Sequence, residues 1–278
     1  MNSLAVNPLP RLTQARAPLT HPITVRNERG EHLSVAIPSE RALTVYVDKR
    51  ELVTLMTLGA QPEWLVLGFL LNQRLVQSAG EIASITVDWE VGAAAVKTHA
   101  GIANLAEKTA TRVVTTGCGQ GSVFGDLMRD VDGLTLPDTH ITQSQLYGIV
   151  NTMRLQDSVY KISGSVHGCA LFHGQELLFF VEDVGRHNAI DTIAGWMALQ
   201  AGLDRAGKVF YTTGRLTSEM VIKSAQMGIA VVVSRSGTTQ MGQAVAARLG
   251  LCAIGRATHT RFLCFSGAQR LQLQPGGC

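Results

Sequence analysis

Val209-Phe210-Tyr211-Thr212-Thr213-Gly214-Arg215-Leu216-Thr217-Ser218-Glu219 reads as a buried strand that runs into a polar, glycine-bearing turn and opens a helix through Met227. The same succession follows it. Ile229 to Ser234 is a strand, Arg235-Ser236-Gly237-Thr238-Thr239 a polar turn, Gln240 to Gly250 a helix, and Leu251 to Ile254 a short strand. It also precedes it. Leu177-Leu178-Phe179-Phe180-Val181 is apolar throughout, the mark of a central strand, and leads into Glu182 to Asp191 and a helix from Asn188 to Ala201. Strand, polar loop and helix thus recur three times, which predicts an α/β layer with its loops along one edge.

Upstream the pattern changes. Ile23 to Ile37 holds two β-rich pieces around Glu28-Arg29-Gly30-Glu31, and Leu43–Val47 and Leu52–Met56 flank Asp48-Lys49-Arg50-Glu51; both read as hairpins. Pro62 opens a helix over Glu63 to Asn72, and Ile82 to Trp89 and Ala93 to Thr98 read as strands. The expected organisation is therefore a mobile tail over 1–22, a small α/β domain over 23–112, and an α/β domain over 113–278 in which Thr142 caps a helix to about Met153.

Composition narrows the class. A hydrophobic fraction of 46% and a charged fraction of 16% describe a globular chain, and a net charge of +3 is too small to argue for nucleic acid. No apolar run approaches the ~20 residues of a membrane span. The five cysteines, Cys118, Cys169, Cys252, Cys264 and Cys278, are odd in number and form no C-x-x-C pair. That fits free thiols in a reducing cytoplasm.

Five places have residues suited to chemistry. Thr115-Thr116-Gly117-Cys118-Gly119-Gln120-Gly121-Ser122 follows a β-branched run and precedes a stretch that Ser122 can cap as a helix. Glycines let such a loop turn several N–H groups toward one point, which favours the reactive thiolate of Cys118; a plain glycine turn around a core cysteine is the competing reading. Glu182, Asp183, Arg186, His187 and Asp191 lie at a strand end, where α/β proteins place ligands, although acids at a helix N-terminus explain the pattern too. Arg215 sits at another such turn, and Glu219 and Lys223 beyond it make an ordinary i, i+4 pair. His167, beside Gly164 and Gly168, is a candidate to face Cys118 across the sheet edge. Arg256-Ala257-Thr258-His259-Thr260-Arg261 offers two arginines and two hydroxyls to phosphates, or forms a solvated loop.

Together these motifs resemble a known family. Gly117-Cys118-Gly119, Ser-Gly-x-x-His at 163–167, Glu-Asp-Val-Gly-Arg-His-Asn-Ala-Ile-Asp at 182–191 and Gly-Arg-x-x-x-Glu-Met-Val-x-Lys-Ser-Ala at 214–225 look like FdhD, over about Leu43 to Leu271. The resemblance implies a small N-terminal α/β unit and a C-terminal domain of cytidine-deaminase-like, three-layer topology. It implies a sulfur carrier, or sulfurtransferase, required by formate dehydrogenases. A cysteine desulfurase would load Cys118 as a persulfide. The sulfur would pass to the bis-molybdopterin guanine dinucleotide cofactor, bound transiently by Arg256, Ala257, Thr258, His259, Thr260 and Arg261, with Arg186, His187 and Arg215 as further contacts. The apolar N-terminal unit gives a weak hint of a homodimer.

The chain departs from the family in places. Many members carry Cys-Gly-x-Cys, whereas Gly121 stands at the second position here, so a single persulfide shuttle fits and a two-cysteine loop mechanism does not. The turn Ser236-Gly237-Thr238-Thr239 and the late loop, which keeps its terminal Arg, also differ from the usual pattern. Two other functions compete with this reading. A zinc deaminase needs His-x-Glu and Pro-Cys-x-x-Cys, and the sequence has neither. A delivery module for the cofactor would share the arginine-lined edge without needing Cys118.

Overall fold

The computed structural model describes residues 8–103, 114–115, 119–120 and 133–274, the two short pairs as backbone. Mixed α/β structure fills two compact units. The first takes Met1–Arg112, Val159–Val166 and Asp183–Ala201; the second takes Val113–Ser158, His167–Glu182 and Gly202–Cys278.

The first unit opens with β1 (Arg11–Leu12), β2 (Thr20–Arg26), β3 (His32–Pro38), β4 (Arg41–Val47) and β5 (Arg50–Thr57). Helix α1 (Pro62–Asn72), β6 (Ile82–Asp88) and β7 (Ala93–Thr98) follow. Among the described residues β2 and β3 pair with each other, while the other five strands form a sheet in the order β1-β6-β7-β4-β5. Asp48 and Lys49, both at positive φ (46° and 73°), make the β4–β5 turn two residues long, in place of the four-residue connection predicted. Arg11 and Leu12, expected within a mobile tail, form β1 and pair with β6. Thr13 Oγ1 and the Ala15 amide both donate to Glu63 Oε1 at 2.7 Å, which satisfies a carboxylate only 3% exposed.

Alternate residues of the sheet, Leu43, Val45, Ile85 and Val96 among them, pack with Leu65, Val66, Phe69 and Leu70 of α1. The far side of α1 is also buried, because another helix of the unit lies on it at backbone contact.

The second unit begins with β8 (Val114–Thr115) and β9 (Gly119–Gln120), then β10 (Ile141–Thr142) and α2 (Gln143–Leu155). As predicted, Thr142 caps α2: its Oγ1 accepts from the Gln145 amide at 3.2 Å, and Gln145 Oε1 accepts from the Thr142 amide at 2.9 Å. The chain then returns to the first unit for α3 (Val159–Ser163), a short turn without a sequence signal. Strand β11 (His167–His173) and β12 (Glu176–Asp183) lead to α4 (Arg186–Leu199). The remaining elements are β13 (Lys208–Thr212), α5 (Ser218–Gln226), β14 (Val231–Ser234), α6 (Gln240–Leu249), β15 (Cys252–Thr258), β16 (Arg261–Ser266) and β17 (Leu271–Gln272).

The main sheet of the second unit runs β12-β11-β13-β14-β15-β16, with β13, β14 and β15 parallel. Strand β12 is therefore an edge strand, not the central one its apolar run suggested. Leu177, Leu178, Phe179 and Phe180 are all only half-buried, as on a strand with a neighbour on one side. On one face of the sheet Ala170, Tyr211, Val233 and Ile254 meet Leu146, Ile149 and Val150 of α2. Phe210, Val232 and Ala253 fill the opposite face. There the two parallel crossovers place α5 and α6, as successive right-handed connections require. The result is a helix, sheet, helix sandwich.

Candidate functional site

The three parallel strands end at one edge of this sandwich, and the connections there are laced together. Thr212 Oγ1 accepts from the Gly214 amide at 3.1 Å, and Ser234 Oγ donates to the Gly214 carbonyl at 2.7 Å. The Leu216 amide donates to Gly237 O at 2.9 Å, and the Leu216 carbonyl accepts from the Thr239 amide and from Thr238 Oγ1. The Arg256 amide donates to Ser236 O at 2.6 Å. Such close approach needs glycine. A Cβ on Gly242 would lie 2.3 Å from the Leu216 carbonyl oxygen, and one on Gly255 3.0 Å from that of Ser236.

Arg215, Arg235, Arg256 and Arg261 are all exposed along this edge. The N-termini of α5 and α6 open here as well, with Thr217 and Thr239 at their N-cap positions. Thr239 Oγ1 accepts from the Gly242 amide at 3.1 Å. The Thr217 hydroxyl is buried and has no hydrogen-bond partner among the described residues. Guanidinium groups and helix N-termini together suit a phosphate or pyrophosphate. Arg235 was not among the sequence candidates; its place at the end of the middle parallel strand is the signal that marks it.

The segment Arg256 to Arg261, predicted as a loop before the last strand, is the tip of the β15–β16 hairpin. Thr258 pairs with Arg261 across a two-residue turn, and Arg256 and His259 take positive φ values of 52° and 49°. Ala257 is buried, whereas Arg256, Thr258, His259, Thr260 and Arg261 are exposed. The predicted Glu219–Lys223 pair exists at 3.8 Å, but Lys223 is 3% exposed and belongs to the interior of the unit.

The segment 182–191 plays a different part. Helix α4 starts at Arg186, two residues earlier than predicted, so Arg186 and His187 form its first turn and are each 8% exposed. Asp183 accepts four hydrogen bonds within the first unit. Thr57 Oγ1 donates at 2.5 Å and the Leu58 amide at 3.1 Å to Oδ2; the Gly185 amide at 3.1 Å and Asn188 Nδ2 at 2.9 Å donate to Oδ1. Burial pushes the Asp183 carboxyl up to about 6, and the four donors oppose the rise. Asn188 Nδ2 also donates to Met56 O at 2.7 Å, and Asn72 Nδ2 donates to Asp191 Oδ1 at 2.7 Å. These groups fasten α4 to β5 and α1. Arg186 Nε is buried without a hydrogen-bond partner among the described residues.

Arg186 and His187 thus belong to the first unit, and Arg215 and Arg256–Arg261 to the second. His167 opens β11. Cys118 lies outside the described residues, as does the helix predicted after Ser122. Val114 and Thr115, within the β-branched run read as a strand, pair with Gln120 and Gly119.

The model of the FdhD/NarQ family matches residues 38–272. The chain belongs to this family. Curated FdhD relatives match along nearly their whole length. The sulfur carrier protein FdhD of Listeria monocytogenes serotype 4b is 27% identical over 258 residues, 91% of this chain and 98% of the relative. That of Bacillus licheniformis is 30% identical over 241 residues, 84% and 89% of the two chains. A crystal structure assigned to a formate dehydrogenase accessory protein from Desulfotalea psychrophila has the same fold, with a TM-score of 0.74 at 24% identity, covering 91% of this chain and all of the other. The FdhD match includes every candidate site residue and leaves out nearly all of the β2–β3 hairpin. Among the described residues no helix is long and apolar enough to cross a membrane.

Proposed function

We propose that this FdhD-family chain is a sulfur carrier for formate dehydrogenase maturation. Cys118 takes sulfur from the persulfide of a cysteine desulfurase and hands it to the molybdenum of bis-molybdopterin guanine dinucleotide, which the chain binds as a transient client. The observation that carries the reading is the family match across 38–272, with a lone cysteine at 118 in a glycine-rich connection. A persulfide carrier needs a thiolate in a connection open to donor and acceptor, and no second cysteine beside it to discharge the sulfur as a disulfide. Gly121 meets the last condition. The arginines of the sheet edge supply the charge that a dinucleotide pyrophosphate calls for, with Arg215, Arg235, Arg256 and Arg261 as its contacts and Arg186 and His187 as further candidates. Reduced thiols suit work in the cytoplasm.

The test is complementation of a strain lacking its own FdhD, read as formate-dependent dye reduction. Cys118→Ala abolishes activity while Cys169→Ala leaves it intact. Full activity of Cys118→Ala would leave only cofactor delivery for the arginine edge.

A further inference from the structure

The connections of the arginine edge are tied by a run of hydrogen bonds that passes through buried hydroxyls. Thr212 ends β13 and Ser234 ends β14; the two are register partners, and both are 0% exposed. Thr212 Oγ1 accepts from the Gly214 amide, and the Gly214 carbonyl accepts from Ser234 Oγ at 2.7 Å. Ser234 Oγ in turn accepts from the Ser236 amide at 2.9 Å, and the Ser236 carbonyl accepts from the Arg256 amide at 2.6 Å. Four bonds thus lead from the turn after β13, through the turn after β14, to β15. Three arginines stand on this path or beside it. Arg215 follows Gly214, Arg235 lies between Ser234 and Ser236, and Arg256 is the last donor.

A serine at a strand end commonly accepts from the amide two residues on, a local turn that needs no further explanation. The bond to Gly214 is different. It reaches back 20 positions and uses the hydroxyl proton, so one side chain holds two separate turns. The Arg256 backbone takes a positive φ of 52°, an unfavourable state for a residue with a Cβ, which persists only where the surroundings impose it. Its amide bond to Ser236 is one such constraint. The Arg235 amide is fixed as well, donating to Thr212 O at 3.0 Å. The arginine side chains are exposed, but the peptides that launch them are held.

We propose that Ser234, backed by Thr212, is a positioning residue: its hydroxyl fixes the separation of Arg215, Arg235 and Arg256 and makes the edge prefer a diphosphate to a single phosphate. Orthophosphate can be held by whichever guanidinium is nearest. A diphosphate gains its second contact most cheaply where neighbouring arginines already stand at the right separation, since ordering them on binding costs entropy. Strands β13, β14 and β15 are consecutive in the sheet, and adjacent strands lie about 4.8 Å apart, so their ends offer a regular spacing. Ser234 is buried and acts through the arginines. The proposal rests on the pyrophosphate reading of this edge.

Full-length Ser234→Ala is titrated calorimetrically with inorganic pyrophosphate and, separately, with orthophosphate, after a melting scan has shown it folded. Pyrophosphate should weaken about fivefold and orthophosphate less than about twofold. Ser224→Ala is the control. Ser224 is also 0% exposed, but its Oγ donates to Met220 O within α5, so this change removes a buried hydroxyl that is not on the path. An unchanged pyrophosphate affinity, an equal loss for both anions, or the same loss in Ser224→Ala overturns the proposal. Should Ser234→Ala not fold, Thr212→Val removes the first acceptor of the path at nearly constant volume, and the same outcomes decide. The arginine reading is tested apart. Arg256→Ala should cost about tenfold in pyrophosphate affinity in the wild-type chain, and only about threefold in Ser234→Ala. Equal costs in the two backgrounds sink the positioning role alone; no cost in either sinks the edge itself, and this role with it.

Discussion

Gly68 and Gly195 meet where α1 crosses α4: a Cβ on Gly68 would lie 1.7 Å from the Asp191 carbonyl oxygen, and one on Gly195 1.9 Å from that of Trp64. Both obstacles are backbone, so neither can rotate away. Gly68→Ala gains about 1 kcal/mol of helix propensity but must pry the helices apart. We expect a net loss of about 3 kcal/mol in urea unfolding. Gly148→Ala in α2 is the control, since its new Cβ meets only the Gln175 side chain. It should be neutral or stabilising. A neutral Gly68→Ala would refute the close crossing.

Asp183 gives the first unit a pH dependence. Its folded value of about 6 exceeds the ordinary 3.8. Between these values the folded chain binds more protons than the unfolded one, so this group's contribution is full below about pH 4 and lost as pH rises through 6. The span is about 3 kcal/mol. Asp183→Asn removes the titration and turns an amide N–H₂ toward donors, costing about 1–3 kcal/mol in addition. The stability difference, wild type minus variant, should fall between pH 4 and 6. A difference that is flat or rises with pH would show the carboxylate to be no costlier buried than in water.

The arginine edge should bind pyrophosphate in proportion to its charge. Arg235→Ala and Arg256→Ala should each weaken inorganic pyrophosphate about tenfold by calorimetry, the scale of one charge-assisted hydrogen bond. The affinity of the wild type should also drop with salt. Arg154→Ala, exposed on α2, serves as the control. Equal effects at all three positions would reduce the edge to general surface charge.

Thr142→Ala deletes one side of the capping box of α2. The cost expected in the unfolding midpoint is about 1 kcal/mol, with no change in pyrophosphate affinity. A loss of affinity would mean that α2 helps shape the binding edge.

What the sequence disclosed was local. Thr142 as a cap, Pro62 as a helix start and the strand–turn–helix runs after Val209 and Ile229 all act within a few residues, and all are found in the structure. The role of 182–191 was not legible. Its partners Thr57 and Asn72 lie 126 and 119 positions upstream, so the part Asp183 and Asp191 play in fastening α4 could not be read from within the segment. The tip of β15–β16 was missed because its turn, His259-Thr260, has no glycine or asparagine to announce it. Arg235 became a candidate only when the topology set β14 between β13 and β15.

Because α4 covers α1, the first unit cannot be completed by the first 112 residues of the chain. During synthesis α1 must wait for residues 183–201 to leave the ribosome, several seconds at about 5–20 residues per second. Until then an eleven-residue helix that is oily on every side has water, or a chaperone, where its partner will be. A gene fragment ending at Arg112 would make that interval permanent.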